Sequence, residues 1–261
     1  MPPSPGSSAA SVALEQLLLP AECLLCGALL PFDRSRDLVC PLCRHRWRPV
    51  VPPWCERCGH PEPLFGRCRV CADWPAALRC ARSAVWLDAA ARRAVHALKY
   101  GGLPRMADDL AAAAARVTLP IPDGHAAVLV PVPLGPRRQR TRGYNQSALL
   151  ARGLGARWGH PVAELLVRTR ETVTQTTLTP ASRLANVAGA FAMRNGECGM
   201  RNELSAVDSA FRIPNSTLIL VDDVFTTGAT LGAAAQALEA AGARSVMAVT
   251  FGRATIPDFT S

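Results

Sequence analysis

Leu218-Ile219-Leu220-Val221-Asp222-Asp223-Val224-Phe225-Thr226-Thr227-Gly228-Ala229-Thr230 is the stretch whose reading decides the fold. Four apolar residues read as a buried strand, bounded by two adjacent carboxylates. In open α/β sheets ligands bind at the C-terminal ends of strands, which is where this acid pair falls. A small loop of hydroxyls and glycine follows, and then a helix starts. Such a loop turns backbone N–H groups, threonine hydroxyls and the positive end of a helix dipole toward an anion. Gly228 lets the backbone come close without a Cβ in the way. A phosphate suits that cradle, whereas the acids would repel it. Asp222 and Asp223 make sense as acceptors for ribose hydroxyls, or as positioning groups for Mg²⁺ through water. One ligand with ribose hydroxyls at one end and a 5′-phosphate at the other satisfies both halves. The segment is not a Walker A loop, because no Gly-Lys-Ser/Thr stands at the required spacing.

Working outward, strands are expected at 83–87, 126–132, 165–168, 217–221 and 245–251. Helices are expected at 89–99, 104–117, 146–158, 180–187 and 231–241. Strands alternating with helices imply βαβ units and a mostly parallel sheet, and short continuous apolar strands imply burial on both faces. The fold class is therefore α/β, a parallel sheet flanked by helices over residues 80–261, preceded by a small cysteine-rich module at 20–75. Residues 1–19 read as a disordered or short helical N-terminus, with one or two helical turns at 12–19. Residues 194–216 are polar, hold Gly196, Gly199, Pro214 and a lone Cys198, and read as a loop or irregular hood.

Two segments flank the ligand stretch. Val130-Pro131-Val132-Pro133-Leu134 reads as a strand ending in a proline-stiffened loop that carries Arg137, Arg138, Arg140 and Arg142, before Gly143-Tyr144-Asn145-Gln146 opens a helix. Arginine forks suit bidentate phosphate contacts, and arginine clusters are equally common as plain solvated surface. Arg168-Thr169-Arg170, through Gln175, Pro180, Arg183 and Asn186 to Phe191, is a polar loop leading into an arginine-bearing helix. It reads either as a lid over a site or as a simple connection.

The cysteine module repeats one spacing four times: Cys23-x₂-Cys26, Cys40-x₂-Cys43, Cys55-x₂-Cys58 and Cys68-x₂-Cys71. Two intervening residues let both thiolates reach one tetrahedral ion, and two pairs complete a closed structural Cys₄ site. Eight cysteines thus suit two structural Zn²⁺ ions. The spacing leaves open whether the pairs combine sequentially or interleave, and it leaves an iron–sulfur cluster as an alternative. Cys80 and Cys198 read as plain thiols, and His45 and His60 are not needed as ligands. Arg44, Arg46, Trp47 and Arg48 are candidates for docking to DNA or a partner.

The net charge is +9, which favours polyanionic partners without choosing among nucleic acid, phosphorylated small molecules and membrane surface. Lys99 is the single lysine. Coding bias toward arginine explains the scarcity, while the sharper reading is that a compact ammonium is needed at that position. No apolar run approaches the length of a membrane span, and no secretory signal opens the chain. A cytoplasmic protein with reduced, metal-binding cysteines is expected.

The segment 218–230 closely resembles the phosphoribosyl pyrophosphate motif of type I phosphoribosyltransferases. Together with Pro131-Val132-Pro133-Leu134 through Arg142-Gly143-Tyr144-Asn145-Gln146, the stretch from Gln175 to Phe191, and Leu98-Lys99-Tyr100-Gly101, it resembles the ComF family, which includes competence proteins implicated in DNA uptake. The resemblance covers most of residues 20–253. It implies a phosphoribosyltransferase-like domain behind a double zinc ribbon. Asp222 and Asp223 would face the ribose hydroxyls, and Thr226, Thr227, Gly228, Ala229 and Thr230 would wrap the 5′-phosphate. Arg137, Arg138, Arg140 and Arg142, with Lys99, would serve pyrophosphate, and the Arg170–Arg183 region would be the flexible catalytic loop. The implied activity is Mg²⁺-dependent pentosyl transfer from phosphoribosyl pyrophosphate. The sequence names no general base, His96 being a candidate only through its place near Lys99. The alternative is a non-catalytic module for single-stranded DNA or a nucleotide-like ligand, working with DNA-uptake proteins. A sensor of phosphoribosyl pyrophosphate is a third reading. A glutamine amidotransferase is disfavoured, because no cysteine can serve as an N-terminal nucleophile.

Overall fold

The computed structural model describes residues 20–35, 37–61, 68–170, 189–194 and 216–254. The chain divides into a small unit ending at Trp47 and a large one beginning at Arg48. The division falls inside the cysteine-rich stretch, so Cys55, Cys58, Cys68 and Cys71 belong to the large unit.

In the small unit the chain makes a tight turn, with the Gly27 N–H donating to the Cys23 carbonyl at 2.8 Å and the Cys23 N–H to the Ala28 carbonyl at 2.8 Å. Pro41–His45 then forms helix α1, five residues long, with Cys40 as its N-cap and a proline in its first turn.

The large unit is built on four parallel strands in the order β1-β6-β5-β2. These are β1 (Leu78–Trp86), β2 (Ala126–Pro131), β5 (Ser216–Phe225) and β6 (Ser245–Arg253). Helices α2 (Ala89–Tyr100), α3 (Met106–Ala114), α4 (Pro136–Arg142), α5 (Gln146–Trp158) and α6 (Ala229–Ala240) connect and cover them. Two short strands, β3 (Leu166–Arg168) and β4 (Phe191–Met193), pair antiparallel as a separate ribbon. Alternate residues of the central strands share one core: Val128, Val130, Leu218, Leu220, Val246 and Ala248 meet Leu231, Ala234, Ala235 and Leu238 of α6. Helix α5 packs on β2, β5 and α3. Each Leu or Val removed from water in this core contributes about 1.5–3 kcal/mol.

Three expectations are corrected. The central strand extends four residues past Val221, because β6 also continues to Arg253 and keeps the ladder paired: Asp222 lies opposite Thr250 and Phe225 opposite Arg253. The acid pair is therefore inside the last turns of the sheet rather than beyond it. The arginine-bearing segment is not a loop but helix α4, started by Pro136 after Gly135 and closed where the Gly143 N–H donates to the Gln139 carbonyl at 2.8 Å. The first strand begins at Leu78, not Ser83. The expected helix at 180–187, the 171–180 part of the polar loop, most of the 194–216 hood, the helical turns at 12–19, and the residues Arg183 and Cys198 lie outside the described residues.

Candidate functional site

Asp222 and Asp223 end the apolar part of β5, with two helices converging on them. Lys99, in the last turn of α2, places its Nζ against the Asp223 carboxylate. Asp88 fixes that helix by capping it, accepting from the Ala90 and Ala91 N–H groups at 3.0 and 2.9 Å. Ser147, in the first turn of α5, donates its hydroxyl to Asp222 Oδ1 at 2.9 Å. Asn145 holds that helix start, capping the Ser147 N–H at 3.1 Å and donating its amide to the Val132 carbonyl at 3.1 Å. Asp223 also donates its own N–H to Asp222 Oδ1 at 2.9 Å.

The electrostatics follow from burial. Burial and the neighbouring Asp223 push the Asp222 carboxyl up to about 7, against the pull of Lys99, the Ser147 hydroxyl and the Asp223 N–H. Burial pulls the Lys99 ammonium down, but Asp223 and Asp222 beside it more than offset that and hold it above its ordinary value. Lys99 therefore pairs with the buried Asp223, while the half-buried Asp222 beside it accepts from the Ser147 hydroxyl.

Beyond Phe225 the chain turns through Thr226 and Thr227 into Gly228, at φ +77°, and α6 starts at Ala229. The Thr227 hydroxyl accepts from the Ala229 N–H at 3.4 Å. Gly228 has no side chain to cap α6, and the positive end of that helix's dipole falls at this turn.

The other nominated residues are placed as follows. Arg137 and Arg140 are exposed on α4, and Arg138 and Arg142 are half-buried. Arg142 bonds the Gln146 side-chain oxygen and stands 5.4 Å from the centre of the Tyr100 ring. Arg170 is exposed at the end of the described part of its loop. His96 is exposed and packs against Tyr100, ring centres 4.9 Å apart, so it faces solvent rather than the acids. Sequence reasoning missed Ser147 and Trp74 as parts of this neighbourhood. The Asn145 cap just ahead of a serine was the signal for the first.

The cysteines pair sequentially: Cys23, Cys26, Cys40 and Cys43 form one tetrad, and Cys55, Cys58, Cys68 and Cys71 the other, with all sulfurs of each within 4.8 Å of one another. Four ligands on a tetrahedral zinc at about 2.3 Å stand about 3.8 Å apart. Cys26–Cys40 at 3.8 Å, Cys55–Cys71 at 3.7 Å and Cys58–Cys68 at 3.5 Å match that edge. Disulfides need about 2.05 Å, and every described cysteine is a free thiol. Backbone amides support the thiolates: the Cys40 N–H donates to Cys23 Sγ at 3.3 Å and the Cys43 N–H to Cys40 Sγ at 3.4 Å. Burial pushes Cys23 up, but the Cys40, Leu25 and Cys26 amides outweigh it and bring it to about 6. Burial and neighbouring thiolates push Cys43 and Cys58 well up, and Cys71 to about 12. Four thiolates so close need a cation among them, and the donor set is that of a structural Zn²⁺. Arg253, 1 % exposed, has Nε and Nη2 without hydrogen-bond partners among the described residues. Burial pulls its guanidinium below the ordinary value, and the sulfurs of Cys58, Cys68 and Cys55 oppose that pull. The guanidinium is the counter-charge an anionic zinc–tetrathiolate requires.

Known proteins resemble both the cysteine module and the chain as a whole. A sequence profile for the double zinc ribbon domain matches residues 14–75. The chain is 28% identical over 235 residues to the competence protein ComFC of Bacillus subtilis, covering 83% of this chain and 88% of that one. It is 31% identical over 245 residues to the DNA utilization protein YhgH of Escherichia coli, covering 88% and 96%. Competence protein F of Haemophilus influenzae matches at 32% over 127 residues, 48% of this chain and 50% of that one. A zinc-ribbon module with two sequential cysteine tetrads, a parallel sheet carrying the acid pair, and a relative 31% identical along 96% of its length together place this chain in the ComF family.

Proposed function

We propose that the chain is a phosphoribosyltransferase-type protein that binds phosphoribosyl pyrophosphate at the end of β5 and serves the uptake or use of DNA in the cytoplasm. The observation that carries this is the acid pair set directly before a glycine-turned helix start, so that hydroxyl acceptors and a phosphate cradle are joined by one short turn. Asp222 accepts from the ribose hydroxyls, with Asp223 beside it paired to Lys99. Thr226, Thr227, Gly228, Ala229 and Thr230 hold the 5′-phosphate, and arginines of α4 serve the pyrophosphate. Mg²⁺ bound to the pyrophosphate oxygens would neutralise the leaving group. The chain's own part is orientation and charge stabilisation. The link to DNA rests on the names of the relatives, a competence protein and a DNA utilization protein. No helix of the described residues is long and apolar enough to cross a membrane.

Calorimetry with phosphoribosyl pyrophosphate and Mg²⁺ tests the reading. Asp222→Asn with Asp223→Asn is expected to abolish binding while two equivalents of zinc are retained. Wild-type affinity in that variant refutes the ribose assignment.

A second reading has its own observation. Tyr100 is 65% exposed, with the guanidinium of Arg142, the last residue of α4, above its ring. An exposed aromatic beside a basic helix is the surface that stacks a base and tracks a phosphate backbone, as in binding of single-stranded DNA. Salt-dependent binding of an oligonucleotide that Tyr100→Ala weakens would support it.

A further inference from the structure

We infer that the second cysteine tetrad forms the back wall of the Thr226–Thr230 loop, with Trp74 as the positioning residue that couples metal occupancy to ligand binding; this rests on reading that loop as a phosphate site. A Cβ built on Gly228 would lie 2.8 Å from Trp74 Cζ2 and 3.0 Å from Phe225 Cζ. The indole therefore lies flush against the turn, and the loop has no room to relax backward. Trp74 stands three residues after Cys71 and donates its N–H to the Cys71 carbonyl at 3.3 Å. Arg57, between Cys55 and Cys58, fixes the chain that carries the indole. Its guanidinium donates to the carbonyls of Cys71 at 3.1 Å, Trp74 at 3.1 Å, Pro75 at 2.9 Å and Leu78 at 3.2 Å.

A second connector reaches the other end of the loop. Phe225 immediately precedes Thr226 and lies tilted against Trp74, ring centres 6.0 Å apart. Arg253 stands 4.3 Å from the centre of the Phe225 ring and donates to the Cys58 carbonyl at 2.7 Å. The start of the loop and its central glycine are thus braced by residues that the tetrad's turns hold. Cys58 and Cys71 share the core cluster that contains Trp74 and Phe225. Without an ion the thiols of the tetrad lose their common partner, the Cys71–Trp74 segment loosens, and the loop loses its wall. By thermodynamic reciprocity, a ligand that requires the braced loop must also tighten the metal.

The test uses the full chain with Cys26→Ser, which empties the first tetrad and leaves one zinc to follow, and reads zinc release to a chromogenic chelator. Ribose 5-phosphate is the probe, since it offers the 5′-phosphate and both hydroxyls without a pyrophosphate to chelate zinc. Saturating probe is expected to slow release about fivefold or more. Trp74→Leu is expected to weaken the probe about tenfold with the zinc count unchanged, and Trp74→Phe to recover most of the affinity. The brace is also read with no ligand at all: Gly228→Ala speeds zinc release, and Trp74→Phe in the same chain, by removing the Cζ2 edge, slows it again. Release indifferent to Gly228→Ala and to the Trp74 variants overturns the inference. Release that responds to Gly228→Ala while the probe neither binds nor slows it upholds the brace and overturns the ligand reading instead.

Discussion

The two cysteine tetrads repeat one local design in two different surroundings. Cys23-Leu24-Leu25-Cys26-Gly27 and Cys55-Glu56-Arg57-Cys58-Gly59 make the same turn, with the glycine N–H donating to the first cysteine's carbonyl at 2.8 Å in both. Around the first, Cys26, Leu24, Leu29 and Leu42 are exposed. Around the second, Cys58 is fully buried and joins the core of the α/β sheet. Identical ligand spacing therefore says nothing about what a metal supports. The first ion closes a small unit of its own, whereas the second is a fastener within the main core, and its loss spreads to everything packed against it.

The contrast breaks most visibly at the ligands. Cys58→Ser is expected to remove one zinc and to lower the stability of the large unit by about 4 kcal/mol, because metal binding there is part of folding. Cys26→Ser is expected to remove one zinc and shift the same unfolding transition by less than about 1 kcal/mol. Elemental analysis with thermal circular dichroism reads both, and equal shifts would erase the distinction. Next come the arginines near each tetrad. Arg253→Met takes a buried cation from the second site and should cost about 3 kcal/mol. Arg44, which pairs with Asp37 at 3.3 Å and is partly exposed, should cost under about 0.5 kcal/mol as Arg44→Ala.

The glycines sharpen the comparison further. Gly27 and Gly59 both hold positive φ, +70° and +66°, so Ala at either meets a backbone penalty of about 1 kcal/mol. Gly27 has nothing within 4 Å of a new Cβ, while at Gly59 the Ala81 carbonyl oxygen lies at 3.1 Å. Gly59→Ala should therefore be the more destabilising of the two in chemical denaturation. A further effect concerns pH. Asp222, raised to about 7 when folded against about 4 unfolded, binds its proton more tightly in the native state. Stability is then favoured at acidic pH and falls as pH rises from about 4 through 7. Asp222→Asn should flatten that slope, and an unaltered slope would assign it to other groups.

Legibility in the sequence varied with the range of the interaction. The central strand and the loop after it were readable because a continuous apolar run, two acids and a glycine turn are all local. The cysteine pairs were readable as pairs, but their sequential combination was not, since spacing constrains only neighbours. Helix α4 reads as a loop in the sequence because Pro-Arg-Arg-Gln-Arg-Thr-Arg has no apolar stripe, and only the proline start and glycine stop signal a helix. The Lys99–Asp223 pair and the contact of Trp74 with Gly228 join residues more than a hundred positions apart, which no periodicity reveals. The expected lid around Arg183 falls outside the described residues.

The sheet's two outer strands also merit comparison with each other. Along β1, the Val50 N–H donates to the Ala84 carbonyl and the Trp86 N–H to the Arg48 carbonyl, while along β2 the Leu129 N–H donates to the Pro161 carbonyl and the Ala163 N–H to the Leu129 carbonyl. A few residues of connecting chain thus occupy hydrogen-bonding groups that would otherwise invite another molecule to add a strand. A chain begun at Val51 would uncover the Ala84–Trp86 part of β1's flank. Self-association through that bared rim, rather than loss of the ligand site, would be its first defect.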